Sequence, residues 1–393
     1  MQAKTAVGVV FALNGLTFSC LAARLPDVRA DLGLDNGALG LLLLAIAVGS
    51  IAALSIGGHL IARLGPATVV RIGTTVALSG FALTAIGVSG LHSTGLTAAA
   101  FAMYGVGIAT WDLAMNVEAA EVERALGRTI MPRFHAGWSL GSFGGAGVGV
   151  ALIRWDVPAA AHLVVGGLIG AAGAAAAARW FLGSSETPEP VAATSAAAAV
   201  PVRARRSTWT EPRTLAIGLM VLCFAAVEGA ANDWLSLALI DGYDAPHWVG
   251  VAGFALFVSA MTTGRLLGPL VLDRFGRVPV LALTAVVSGG GVLLVVFGAV
   301  APVIVLGILL WGLGAALGFP VGISAAADDP AGAARRVSVV STIGYGAFMA
   351  GPPLLGALGD HVGTLRALIA VAVLMAVAAA TVPAARKHEP AVG

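Results

Sequence analysis

Twelve continuous apolar runs, each long enough to cross a lipid bilayer as a helix, fill this sequence from end to end. They lie at approximately 6–23, 38–60, 67–89, 95–119, 132–153, 158–182, 214–240, 247–272, 278–298, 301–324, 336–358 and 365–385. A helix crosses about 30 Å of hydrocarbon in about 20 residues, and lipid admits only helices or closed barrels because it offers backbone N–H and C=O groups no partner. Barrel strands alternate apolar and polar residues, whereas these runs are unbroken. Charged residues make up 11% of the chain, under half of the roughly 25% that keeps a soluble surface wet. The reading is an all-α membrane protein of twelve transmembrane helices, and a water-soluble fold is excluded. The first run meets no small-residue cleavage site before the charged Arg24–Asp31 stretch, so it is read as a span followed by a loop. Cys20 and Cys223 both lie inside apolar runs and are read as small packing residues.

Basic residues set the expected orientation. Of the 22 lysines and arginines, Arg24, Arg29, Arg154 and Arg366 fall between runs on one side, Arg265 lies inside a run, and the others fall on the side of the N terminus. The positive-inside rule puts that side, with both termini, in the cytoplasm of an inner (plasma) membrane. The stretch 183–212 carries Pro188, Pro190, Pro201 and Pro212, alanine repeats and the basic Arg203–Arg206 cluster, and it has no apolar period. It reads as a cytoplasmic linker between a bundle of six helices at 1–182 and a second bundle at 213–393.

The two halves repeat one another. Gly57-Gly58-His59-Leu60-Ile61-Ala62-Arg63-Leu64-Gly65 aligns with Gly268-Pro269-Leu270-Val271-Leu272-Asp273-Arg274-Phe275-Gly276. Tyr104-Gly105-Val106-Gly107 aligns with Trp311-Gly312-Leu313-Gly314, Arg128 with Arg335, and Gly137 with Gly344. Parallel six-helix halves related about the membrane normal form a clamp whose interface can open to either side.

With these landmarks the chain resembles the major facilitator superfamily over essentially its whole length. Gly268-x-x-x-x-Asp273-Arg274-Phe275-Gly276-Arg277 is similar to the family's signature loop; the first-half copy keeps Arg63 and Gly65 but has Ala62 in place of the Asp and Pro66 in place of the basic residue. The resemblance implies a gating role for Arg63, Asp273, Arg274 and Arg277 at a cytoplasmic seam; a topology-fixing charge cluster is the simpler reading of the same residues. Trp111-Asp112-Leu113-Ala114-Met115-Asn116-Val117-Glu118, His135-Ala136-Gly137-Trp138-Ser139-Leu140-Gly141 and Glu228-Gly229-Ala230-Ala231-Asn232-Asp233-Trp234 resemble the fucose permease-like branch of sugar symporters. Export-type members carry a Gly-Pro motif in the fifth span, and the glycines are here without the proline.

Polar groups within spans are costly, about 2.5 to 3.5 kcal/mol for a charge at mid-bilayer, so each must face protein or a wet cavity. Glu228 has Asn232 one turn on, and Asp112 has Asn116 one turn on. Asn14 is the approximate repeat counterpart of Glu228. The candidates for proton coupling are Glu228, Asp112 and His135; a neutral acid tying two helices, a pairing of Asp112 with Arg128, Arg133 or His135, and a helix-end histidine reaching water are the structural alternatives. The candidates for solute binding are Asn14, Trp111, Asn116, Trp138, Asn232 and Trp311, the tryptophans as stacking surfaces for a sugar ring. Arg265 reads as reaching the cytoplasmic mouth or as an anion ligand. Glu118, Glu121 and Glu123 read as a solvated network with Arg124 and Arg128. Gly137, Gly141, Gly145 and Gly149 make a groove at i+4 spacing for another helix, and Gly346, Gly351, Pro352, Pro353 and Gly356 suggest a bend in the eleventh span.

The expectation is therefore a secondary transporter working by alternating access, a proton-coupled symporter of a small polar solute such as a sugar, with a proton-driven exporter of drugs or natural products as the alternative. No Walker-type G-x-x-x-x-G-K-[ST] is present, and no H-E-x-x-H, Cys/His ligand cluster or G-x-S-x-G elbow suggests an enzyme, a metal or a cofactor. One proton falling through 100 mV supplies about 2.3 kcal/mol, equivalent to roughly 50-fold accumulation. The partners are the solute, protons and the lipid bilayer, with no nucleic acid, and the chain is expected to be monomeric.

Overall fold

The computed structural model describes residues 2–127, 130–182, 208–329 and 332–387, with the side chains of Pro132 and Ala334 excepted. Arg128, the Arg203–Arg206 cluster and most of the expected linker lie outside the described residues. Among the described residues there are helices and no strands. The first half comprises α1 (Gln2–Ala22), α2 (Leu25–Asp31), α3 (Asn36–Leu64), α4 (Pro66–Ala85), α5 (Thr94–Leu126), α6 (Met131–Arg154) and α7 (Ala159–Ala177). The second comprises α8 (Pro212–Tyr243), α9 (His247–Phe275), α10 (Arg277–Phe297), α11 (Ala301–Ala315), α12 (Gly318–Ala326), α13 (Ala333–Val362), α14 (Thr364–Ala367) and α15 (Ile369–Thr381).

Eleven candidate membrane spans are present among the described residues. The remaining long helix is α13, whose apolar character is diluted by Ser338, Ser341, Thr342 and Tyr345, and it completes the twelve-helix all-α fold. Two details depart from the sequence reading. The expected Arg24–Asp31 loop contains the short helix α2, with Pro26 in its first turn. The expected tenth span is broken between α11 and α12, where Gly312, Gly314, Gly318 and Pro320 weaken the helix. Helix α13, by contrast, runs on through Pro352 and Pro353.

The repeat in the sequence is a repeat in packing. Gly65 ends α3 and starts α4 at φ 75° and ψ 156°, its N–H bonded to the Ile61 carbonyl. Gly276 does the same between α9 and α10 at φ 79° and ψ 168°, bonded to the Leu272 carbonyl. A positive φ favours glycine at both turns. Gly105 lets α5 lie on the Ile46 carbonyl of α3, and Gly312 lets α11 lie on the Phe257 carbonyl of α9. In lipid the hydrophobic effect does not drive helices together, so this close backbone approach carries much of the association. The i+4 glycines of α6 form the expected groove for α1: a Cβ on Gly141 would stand 1.8 Å from the Ala12 carbonyl oxygen and one on Gly145 2.8 Å from that of Leu16, while Gly144 and Gly147 have open space. Cys20 and Cys223 are free and buried in the core.

The halves meet along two seams of the same design, α3 against α13 and α6 against α9, with α2 touching α8. One end of the molecule carries the chain termini; we call it the terminal end and the opposite one the far end.

Candidate solute site between the halves

At the far end the halves are tied together. Arg29 donates from both Nη atoms to the Asp241 carboxylate at 2.6 and 2.5 Å. Asp360 of α13 accepts from the backbone N–H groups of Asn36 and Gly37 on α3, each at 2.8 Å. His247 Nδ1 lies 3.5 Å from Asp27, which also pairs with the buried Arg24 at 3.1 Å. Arg24 in turn donates to His162 Nδ1 at 3.0 Å and to the Val157 carbonyl at 2.8 Å.

At the terminal end, Arg124 pairs with Glu121 within the first half, and Arg213 and Arg277 pair with Asp328 and Arg336 with Glu211 within the second. Arg63, Asp273 and Arg274 are exposed, and the Arg274 guanidinium stacks 5.4 Å from the ring of its own neighbour Phe275. Arg277 is held within its own half, on Asp328 at 2.6 Å and Ser324 Oγ at 2.9 Å. The four candidate gating residues thus make no contact across the seam in this state, and Arg277 engages the foot of α12 instead. The halves, tied at the far end, leave a gap between them in which the side chains of Asp112, His135 and Tyr345 are exposed.

Inside this gap, the polar side chains sort into paired and unpaired sets. Arg265 of α9 donates through Nη2 to both oxygens of Glu228 on α8, at 3.0 and 2.8 Å, with side chains 30% and 15% exposed. Arg265 also lies within electrostatic reach of His135 on α6, whose exposed ring stands edge-on to Phe11 at 5.2 Å. Asp112 of α5 is exposed, and its carboxylate has no partner among the described residues; the Asn116 amide turns back to the Asp112 backbone carbonyl at 2.9 Å. Across the gap, Tyr345 of α13 lies within electrostatic reach of Asp112, in a row with Phe319 at 5.9 Å and Phe348 at 6.4 Å. Asn14 accepts from Trp138 Nε1 at 2.9 Å, tying α1 to α6, and Phe18 packs on the same indole at 5.7 Å. Asn232 is half-buried, and its amide has no partner among the described residues.

Two candidates are corrected. Trp111 and Trp311 are 1% and 0% exposed and belong to bundle cores, not to a solute surface. Glycines draw them in: the Trp111 backbone abuts Gly73 and that of Trp311 abuts Gly291, and Trp311 stands edge-on to Phe257 at 5.6 Å. The Trp111 indole itself reaches Gly170, where a Cβ would lie 3.6 Å from its Cη2. The acids of α5 are corrected too. Glu118 accepts from the Leu182 N–H at 2.6 Å, and Glu123 accepts from the N–H groups of Ile130 and Met131 at 2.6 and 2.7 Å. Both bind backbone donors rather than a solvated cluster, and Glu123 serves the start of α6; Glu121 pairs with Arg124.

Sequence reasoning missed three features: Arg265 as the partner of Glu228, the aromatic row, and Asp233. Asp233 lies with Trp234, Gly229, Phe348 and Gly351 around a small cavity of about 10 Å³ between α8 and α13. Its signal was visible as a second acid in the seventh span, but it lies off the Glu228 and Asn232 face.

The family model of the Major Facilitator Superfamily matches residues 7–330. The chain belongs to this superfamily. An uncharacterized transporter y4wD of Sinorhizobium fredii is 30% identical over 383 residues, covering 93% of this chain and 96% of that protein. Among solved structures, the nucleoside transporter NupG aligns with a TM-score of 0.72 at 16% identity, covering 99% of both chains. The transporter FucP in its outward conformation aligns at 0.63 and 14% identity, covering 98% of both chains. The chain is thus a multi-pass membrane transporter, and the gap between its halves is the place where such a fold carries a small solute.

Proposed function

We propose that this transporter is a proton-coupled symporter of a small polar solute of sugar size, working by alternating access. The carrying observation is the division of charge in the gap. Glu228 already has its counter-ion in Arg265, while Asp112 stands exposed with none among the described residues. An unpaired carboxylate must be neutralised before the gap can close around it. A proton does this without occupying the solute's space. Asp112 is therefore the coupling acid, with His135 beside Arg265 as a second titrating group. Glu228, Arg265 and Asn232 supply the donors and acceptors that hold solute hydroxyls, and the Trp138 ring supplies a stacking face. Solved structures that share this fold include a nucleoside transporter and a fucose:proton symporter, which supports a polar solute. The Phe319, Tyr345 and Phe348 row supports the second reading, an exporter of aromatic or apolar compounds.

With the N terminus in the cytoplasm of the inner membrane, the terminal end is the inner one, and the structure is inward-open. The two six-helix bundles, 1–182 and 213–393, then rock about the solute as monomeric units joined by the 183–212 linker. Impermeant thiol labelling of a cysteine at Leu126 should occur only from the inside. Purified protein in liposomes, given labelled xylose, fucose and uridine with an imposed pH gradient, should accumulate at least one above equilibrium. A protonophore should abolish the accumulation, and Asp112→Asn should leave exchange without gradient-driven uptake. Accumulation that ignores the gradient, or survives Asp112→Asn intact, refutes the coupling.

A further inference from the structure

The first N–H groups of any helix lack partners within the helix, and those of Asn36, Gly37 and Ala38 at the start of α3 are satisfied here from two sources. Its own half supplies one: the Asp35 side chain accepts from Ala38 N at 2.7 Å. The other half supplies the rest, since the Asp360 carboxylate takes Asn36 N and Gly37 N at 2.8 Å each. The carboxylate also sits on the positive end of the α3 dipole. Glycine permits the approach on both helices: a Cβ on Gly37 would lie 2.7 Å from Asp360 Oδ2, and one on Gly356 2.3 Å from the Asn36 carbonyl oxygen.

The second seam has the same architecture and no such cap. Asn36 corresponds in the repeat to His247, which starts α9 after Pro246 with no side-chain cap. Asp360 corresponds to Ile153, which packs with Ala23 and Val251 in an apolar cluster. One seam is therefore closed by a carboxylate seated on a helix end, and its twin by this apolar cluster together with the His247 side chain, which lies 3.5 Å from Asp27 and bonds the Ala23 backbone without capping α9.

We propose that Asp360 is a helix cap supplied in trans, a latch formed only while the far end is sealed, so that the α3–α13 seam and not the α6–α9 seam sets how often that end opens. Opening exposes the first two N–H groups of α3 to water and takes the carboxylate off the helix dipole, while the Asp35 cap travels with α3 unchanged. Asn36 joins the latch to a second link: its amide donates to Thr364 Oγ at 3.2 Å and its Oδ1 accepts from Arg29 at 2.8 Å. The two links should thus open together.

The proposal rests on the halves exchanging positions, and its test reads that exchange directly without solute. Spin labels at Leu91→Cys and Val300→Cys, exposed far-end sites on opposite halves (66% and 55%), report the opening as a distance distribution in liposomes, with Cys20 and Cys223 replaced by alanine. Asp360→Ala should raise the ratio of long to short distances roughly fivefold, the size of a lost helix cap. Asp35→Ala removes an equal cap from the same helix end within one half and should leave the ratio unchanged. Asp360→Asn keeps an acceptor and the shape, should give a smaller rise, and decides the matter if the alanine variant does not fold. An unchanged ratio in both Asp360 variants, or an equal rise in Asp35→Ala, overturns the latch. Neither outcome bears on gradient-driven uptake, which stands or falls in the liposome assay above.

Discussion

Replacing Glu228 with glutamine removes one charge from the ion pair that faces the gap, and the geometry sets the size of the effect. At the 2.8 Å separation of the pair, Coulomb attraction is about 1.5 kcal/mol in water and about 6 kcal/mol at an effective dielectric constant of about 20. With Arg265 30% exposed and Glu228 15% exposed, the pair lies between these limits, and desolvation offsets part of the gain. We expect a loss of about 2 kcal/mol for either Glu228→Gln or Arg265→Gln, because each leaves the other charge half-shielded and unpaired. The double variant Glu228→Gln with Arg265→Gln should recover most of that loss, since two amides can bond each other and no charge is stranded. Thermal unfolding of the four proteins in one detergent makes a double-mutant cycle. Uptake separates solute binding from stability: if the pair touches the solute, the double variant regains its melting temperature but not its uptake. A double variant whose loss equals the sum of the two single losses refutes the coupling, and with it the assignment of Glu228 as a paired group.

Three further outcomes follow from the packing and the mouth. Gly141→Ala places a methyl group on the Ala12 carbonyl and should cost about 1–3 kcal/mol by overpacking, whereas Gly147→Ala, with open space around it, should be neutral or stabilise by up to about 1 kcal/mol through helix propensity; paired melting curves check the contrast. Trp138→Phe deletes the donor to Asn14, which is 2% exposed, and should destabilise by about 1–3 kcal/mol by leaving that buried amide unsatisfied, with Asn14→Leu in the same background recovering part of the loss. At the terminal end, burial pushes the Glu211 carboxyl up, but hydrogen bonds from Arg336 and Thr214 and the nearby guanidinium groups of Arg336 and Arg335 outweigh it and hold the pKa below the ordinary 4.5. A depressed acid stabilises the fold above its unfolded pKa and loses that stabilisation as pH falls through the folded value, so unfolding temperature should drop below about pH 4.5 and Glu211→Gln should flatten that drop.

Much of the architecture was legible because it depends on local chemistry. Twelve spans follow from the length and continuity of apolar runs, which lipid enforces on each helix separately. The α6 groove followed from glycines at i+4, since one helix face is a property of one segment. The limits of such reading are equally physical. The break between α11 and α12 lay inside an unbroken apolar run, where hydropathy has no contrast to show. Trp111 and Trp311 carried the same apolar-polar ambiguity as Trp138, and only the helix facing each of them distinguishes a core indole from one at the gap.

The sequence by itself determined that this chain lives in a membrane, that it is built as a repeated six-helix unit, and that it belongs with the facilitator transporters, because composition, periodicity and internal register are all written along one strand. Only the tertiary structure decided which charges neutralise one another. Glu228 finds Arg265 on the next helix, Asp112 finds none among the described residues, and Asp360 caps a helix from the other half of the molecule. Spacing along one chain cannot encode such a meeting, because the distance that matters runs between helices, and it is fixed by how closely their glycines let the backbones approach.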